Sequence, residues 1–309
     1  MKQSSLTLPG ARRSEQEAAW PPADQAGADH LAVVQAPWRA ALGTLARMPT
    51  AAGSALVLGF WILAAIFWPL FVPYGPDTPN YSQANLAPTL THLAGTDNYG
   101  RDVFSRVMAG SRQVLVMAPA ATLIGLLGGI TLGLVTAYYG GWLDEVVNRA
   151  LEVIMTFPVI IIGLLVFSVF GPSSLNTVIL IGVVYIPLVS RVVRSAALSV
   201  RGLDYVAAAR LRGARGPAIM VTEILPNISG PIVVEATVRV GYAIFTTASL
   251  SFIGLGSGPD STDWGTMIFA GKDYMSVYPW LVLTPTLAIA SLVVALNLLS
   301  DGLRRAVRA

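Results

Sequence analysis

QVLVMAPAATLIGLLGGITLGLVTAY, residues Gln113–Tyr138, runs without one charged side chain. Crossing about 30 Å of hydrocarbon as a helix takes roughly 20 apolar residues, so this stretch reads as a membrane span. Ala121, Gly125, Gly129, Gly133 and Ala137 recur within it at every fourth position. Positions i and i+4 share one helix face, and small side chains let two helix backbones approach closely in lipid. The stretch therefore reads as a spanning helix with a stripe built for helix packing.

The same test, worked outward, finds further spans. Ala52–Val72 lies uncharged between Arg47 and Asp77. From Glu152 to Arg191 the chain is uncharged for too long to be one span, and Gly171-Pro172-Ser173-Ser174 is a turn signal inside it. That gives two helices, about 151–170 and 175–193. A fifth candidate, about 229–251, contains Glu235 and Arg239, and a sixth covers 280–300. A charge at a helix centre costs about 2.5 to 3.5 kcal/mol on the insertion scale, against a gain of about 0.3 to 0.6 for each large aliphatic residue. The apolar residues from Ile232 to Ile253 offset one such charge, and an i,i+4 pair partly neutralises itself. The expectation is an all-α membrane protein with six transmembrane helices. Pro119, Pro158, Pro187, Pro231 and Pro285 lie in or beside the later spans, where neighbouring helices or water must satisfy the freed carbonyls.

Composition agrees. Of 309 residues 54% are hydrophobic and 12% charged, half the usual charged fraction of a soluble domain, about 25%. Mean hydropathy is +0.63. A net charge of +3 is too small for a nucleic-acid footprint. The absence of Cys excludes disulfides and iron–sulfur ligation, and with only His30 and His92 as histidines no metal site is expected. A P-loop needs Gly-x-x-x-x-Gly-Lys-Ser/Thr; neither Lys2 nor Lys272 stands in that frame, so the chain has no means to hydrolyse ATP.

Orientation follows from Lys and Arg. With the N-terminus in the cytoplasm, the inside segments hold Lys2, Arg12, Arg13, Arg39, Arg47 and Arg149. They also take Arg191, Arg194, Arg201, Arg210, Arg212 and Arg215 around the fourth crossing, and Arg304, Arg305 and Arg308 at the end. The outside holds Arg101, Arg106, Arg112 and Lys272. This bias obeys the positive-inside rule and puts both termini in the cytoplasm. Residues 1–47 lack a secretory apolar core and read as a flexible cytoplasmic arm; residues 48–309 form the six-span domain, its first span serving as a retained targeting signal.

Two loops are more than connectors. The outside loop 73–112 contains Gly95-Thr96-Asp97-Asn98-Tyr99-Gly100-Arg101-Asp102. The inside loop 194–228 is the most basic part of the chain. In it, Asp204 is placed to cap a short helix, Gly213 permits a turn, and a second stretch, Ala218–Leu225, is expected to stop at Pro226. Two short helices in an L form a shape that another protein can grip.

This inside loop resembles the cytoplasmic "EAA" motif of permease subunits of binding-protein-dependent ABC importers: Ala208, Ala209, Gly213, Ile224, Leu225 and Pro226 stand at the matching places. Similar segments of the dipeptide/oligopeptide branch, C-type subunit, are seen in Gly95–Arg112, in Ala248–Gly256, in Asp263-Trp264-Gly265-Thr266-Met267 and in Asn297–Arg304. The resemblance covers about residues 50–305. It implies the type I ABC importer permease fold, with Tyr205, Ala207, Ala208, Ala209, Arg210, Arg212, Gly213, Ile224, Leu225 and Pro226 in coupling helices seated on an ATPase subunit. The glutamate that names the motif is Ala207 here, while Arg210 and Arg212 remain either to pair with acidic residues on the ATPase or simply to be solvated. The implied partners are a second, homologous permease, two cytoplasmic ATPases that bind ATP and Mg, and an extracytoplasmic substrate-binding protein, all at a bacterial inner membrane. Loops 73–112 and 254–279, with Asp77, Asp97, Asp260, Asp263 and Asp273, would dock the binding protein.

The implied function is one half of a pathway moving di- or oligopeptides by alternating access; nickel, glutathione and opines are alternatives within the class. For Glu235 and Arg239 three roles stay open: pairing with each other or neutralising a charge on a partner helix, lining the pathway, or a proton relay in an ion-driven carrier. An intramembrane serine protease needs a base beside its nucleophile, and neither histidine lies in a span.

Overall fold

A computed structural model of the protein describes residues 48–258 and 260–308; the expected arm 1–47 lies outside them. Among the described residues the secondary structure is helical throughout. Helix α1 (Pro49–Phe71) starts on a proline, whose missing N–H is no loss in a first turn, and bends at Phe67, two residues before Pro69. Helix α2 (Val103–Tyr139) is capped by Asp102, which accepts from the Ser105 N–H at 2.8 Å, and ends where Gly140 turns into positive φ. At 37 residues it measures about 56 Å at 1.5 Å per residue, well beyond one bilayer crossing.

The third span departs from expectation. Instead of one helix over 151–170, α3 (Gly141–Thr156) and α4 (Val159–Phe170) meet at an 84° bend around Phe157-Pro158. Pro158 disfavours a helical conformation for the residue before it. With 12 residues, α4 alone reaches only about 18 Å. Among the described residues five helices are therefore long and apolar enough to cross, six if the bent pair counts as one crossing.

Helix α5 (Ser174–Arg201) is capped by Ser173. Short helices α6 (Asp204–Leu211), α7 (Gly216–Ile219) and α8 (Leu225–Asn227) follow, with a π turn, Met220–Ile224, between the last two. Helix α9 (Ser229–Leu250) runs into a second π turn, Ser251–Leu255. Helix α10 (Trp264–Gly271) then leads to α11 (Trp280–Arg308).

Helices α2 and α5 form the most extensive pairing in the bundle, and glycine is the reason. A Cβ on Gly129 would stand 2.5 Å from Val189 Cβ and 2.9 Å from the Ser190 nitrogen; one on Gly133 would stand 2.7 Å from the Ser190 oxygen. From the other side, a Cβ on Gly182 would meet Ile124 Cβ at 2.7 Å and the Ala121 oxygen at 3.1 Å. Ala121, Gly125, Gly129 and Gly133 are buried in this seam. Helices α1, α9 and α11 close the bundle around it. Trp264 sits at its heart, its indole N–H on the Val107 oxygen at 2.9 Å and its ring edge-on to Trp61.

The loop ahead of α2 is shorter than expected, because Val103–Arg112 is already helical. What remains is tightly tied. Buried Arg106 donates to the Pro76 oxygen at 3.0 Å, to Asp77 Oδ1 at 2.9 Å and to the Ser261 oxygen at 2.9 Å, joining the α1–α2 loop to the α9–α10 loop.

Candidate coupling elbow and intramembrane ion pair

Residues 202–228 fold into an elbow that is half buried against the bundle. Val206 and Ala209, spaced i,i+3, lie on one face of α6 and are fully buried; Ile219, Met220, Ile224 and Ile228 are buried beside them. Together they form one cluster with Leu134 and Ala137 of α2 and with Val189, Val193 and Ala197 of α5. Arg201 reinforces the joint by donating to the Ala137 oxygen. The elbow is thus packed onto both helices of the glycine seam.

Two local details differ from the reading of the sequence. Leu203, extended at ψ 153°, occupies the N-cap, and Asp204 is the first helical residue, with no capping bond from its side chain. Its carboxylate still lies in the first turn, where the helix dipole favours it. Pro226 does not stop its helix. It sits in the first turn of α8, where a proline is tolerated, and the break comes at Ile228 (φ −108°, ψ 10°). Gly213 does make the turn, at φ +76°.

The opposite face of the elbow is open. Ala207, Arg210, Arg212, Gly213 and Pro226 are exposed, while Tyr205, Ala208 and Leu225 are half-buried. Arg210 lies over the Tyr138 ring, 5.0 Å from its centroid, and Arg212 reaches Glu223 at 3.7 Å. The Tyr205 hydroxyl is buried without a hydrogen-bond partner among the described residues; burial, with the nearby Glu223 charge, pushes its pKa upward. Leu211 was not singled out by sequence, yet it is 90% exposed at the end of α6. A leucine directly between Arg210 and Arg212 gave no periodic signal that could mark it.

In α9, Glu235 is 8% exposed, and Arg239 donates to its Oε1 from Nε and Nη2, both at 2.6 Å. The guanidinium also faces the rings of Tyr185 and Tyr242, at 5.6 and 5.7 Å. Each charge is the other's partner, one helical turn apart.

On the side of the α1–α2 loop, two of the five aspartates expected at a docking face are engaged within the chain. Asp263 is buried and caps α10, accepting from Thr266 N and Oγ1 at 3.0 Å each. Asp97 is held by Arg101 at 2.7 Å. Asp77, Asp260 and Asp273 remain exposed.

Comparison with known proteins gives this architecture its relatives. Residues 129–309 match the family model for binding-protein-dependent transport system inner membrane components, and residues 36–88 match the N-terminal transmembrane domain of oligopeptide transport permease C. The chain belongs to this family. A dipeptide transport system permease protein of Alkalihalophilus pseudofirmus is 36% identical, covering 93% of this chain and 92% of the relative. A glutathione transport system permease protein of Pectobacterium atrosepticum is 36% identical over 88% of this chain and 91% of its own length. The fold resembles that of a chain in an inward-facing structure of the MetNI methionine ABC transporter, with TM-score 0.54 and 20% identity, covering 65% of this chain and 96% of that one. As a binding-protein-dependent inner membrane component, the chain is a multi-pass transmembrane subunit of an ABC importer.

Proposed function

We propose that this permease forms half of the translocation pathway for di- or oligopeptides. It would pair with a second homologous permease, rest on two cytoplasmic ATPases that bind ATP and Mg, and receive substrate from an extracytoplasmic binding protein. The names of the relatives support the peptide class; glutathione, itself a peptide, falls inside it.

One observation carries the coupling role. The elbow's inner face shares a single apolar cluster with α2 and α5, while its outer face presents Arg210, Leu211 and Arg212. A partner gripping the outer face moves the inner face, and through it the two helices of the seam. With Ala207 standing where the family motif has glutamate, positive charge on the elbow meets carboxylates on the ATPase, around an apolar seat for Leu211. ATP binding draws the ATPases together, and the bundle changes between inward- and outward-facing states.

The test is reconstitution of the permease with its partner permease, ATPases and binding protein in liposomes, followed by labelled dipeptide uptake. Uptake is expected to need ATP and to disappear when the Walker-A lysine of the ATPase is replaced. Deleting residues 205–226 should abolish ATPase association with membrane insertion retained. Uptake by this chain alone under an imposed ion gradient would overturn the proposal.

A further inference from the structure

Arg112 is a charge that the fold leaves without an ion-pair partner among the described residues. It is exposed, and its height in the bundle is fixed by its neighbour. Gln113 donates to Ser257 Oγ at 2.7 Å and lies 3.4 Å from Ser174 Oγ. Ser174 is the first residue of α5, and Ser257 follows the π turn that ends α9. Arg112 therefore stands at the level where two spans reach the bilayer surface, on the side of the α1–α2 loop.

Two crevices meet there. One, of about 500 Å³, is lined by Trp68, Asp77, Gln113, Ser174 and Thr262 among others. The second, of about 590 Å³, runs down between α1 and α2 along Leu58, Ile62, Ile66, Leu115 and Pro119, with Val240 of α9 and Leu296 of α11 also lining it. Arg112 and Val116 line both, so a largely apolar space edged by Asp77, Gln113, Ser174 and Thr262 opens into a second apolar space with a guanidinium at the junction. Asp77 Oδ1 accepts from Arg106 Nη1 at 2.9 Å; its Oδ2 has no partner among the described residues, and its side chain is exposed.

We propose that this double crevice is a binding site for a phosphoethanolamine phospholipid. The phosphodiester sits on Arg112, where a charge-assisted, bidentate contact suits a phosphate, and the primary ammonium lies toward Asp77. An acyl chain fills the groove between α1 and α2. A water-soluble zwitterion would use the head space but gain nothing from the apolar groove, whose burial in lipid costs no dehydration. The continuity of the two crevices is what selects an amphiphile.

The experiment uses the full chain in nanodiscs doped with phosphatidylethanolamine carrying a diazirine on one acyl chain. Photolabelled peptides are mapped by mass spectrometry. Labels are expected on residues 58–66 and 112–119, reduced about fivefold in Arg112→Gln through loss of one charge-assisted contact. Labelling at the exposed Leu287 and Val294 of α11 serves as the internal reference for a folded, inserted protein. Asp77→Asn is expected to bring labelling by this probe down to that of the matching phosphatidylcholine probe. Labelling of the groove that ignores Arg112→Gln, or that an excess of dialanine displaces, would overturn the proposal; the second result would assign the crevice to a soluble solute.

Discussion

Arg194 of α5 grips Asp144 of α3 with both arms of its guanidinium, Nε to Oδ1 at 2.6 Å and Nη2 to Oδ2 at 2.5 Å. Asn148 adds a third contact to the same carboxylate, at 2.6 Å. This fork fastens the start of the bent α3–α4 pair to α5, beside a polar crevice of about 740 Å³ that Glu145, Arg149, Glu152 and Arg191 also line.

Breaking the fork should loosen α3 from α5. A double-mutant cycle with Asp144→Asn and Arg194→Gln is expected to give a coupling energy of about 1 kcal/mol, as suits a pair still reached by water. Thermal unfolding in detergent measures it. A lysine at 194 should recover only part of the loss, because it lacks the planar fork.

Gly129→Leu should force α2 and α5 apart. Backbone and Val189 surround the position at 2.5 to 2.9 Å, so overpacking of about 3 kcal/mol or more is expected. The readout is loss of the monodisperse peak in size-exclusion chromatography. Gly53→Leu in α1, which points into open space, should leave that peak in place.

Arg239→Gln strands the buried Glu235 carboxylate, at about 2.5 to 3.5 kcal/mol, and should lower membrane yield. The double variant Glu235→Gln/Arg239→Gln removes both charges and should restore yield and uptake. If uptake were lost in the double variant at full yield, the pair would be a working part of transport rather than a closed contact.

Asp263 supplies a pH test. Burial holds its pKa above the ordinary carboxylate value of 3.8, against the hydrogen bonds from Ser251, Thr266 and Gly265 that favour the charged form. With the folded pKa raised, its contribution is fully present below the unfolded value and is lost as pH rises through the folded one. Asp263→Asn keeps a capping oxygen and cannot ionise. Its melting temperature, relative to the unaltered protein, should therefore climb as pH rises from about 4. A difference that stays flat with pH would refute this.

What the sequence disclosed depended on whether a residue acts within its own helix or across to another. The four-residue stripe on α2 was legible because one helix face carries the whole pattern; that Gly182, Val189 and Ser190 receive it was not, since nothing local in α5 says which helix lies opposite. Uncharged windows undershot the helices for a related reason. Arg112 and Arg191 look like boundaries, but α2 starts nine residues before Arg112 and α5 runs on past Arg191. In those extensions Arg106 is neutralised by Asp77 and backbone oxygens and Arg194 by Asp144, partners 29 and 50 residues away in sequence. Pro158 was visible as a break, whereas the 84° turn depends on what α3 and α4 each pack against. At the elbow, Ala208, Ala209, Gly213, Ile224 and Leu225 could be picked out by resemblance. The apolar tip at Leu211 could not, because exposure is decided by the fold.

The glycine seam also decides how this bundle is able to move. With Val189 and Val193 wedged over Gly129 and Gly133, α2 and α5 have no clearance to shear, and the elbow is glued to the end of both. Close-packed joints of this kind turn as blocks instead of deforming. A shove delivered at Leu211 would therefore swing a single two-helix beam, and the give must come from beside it, at the Phe157-Pro158 bend.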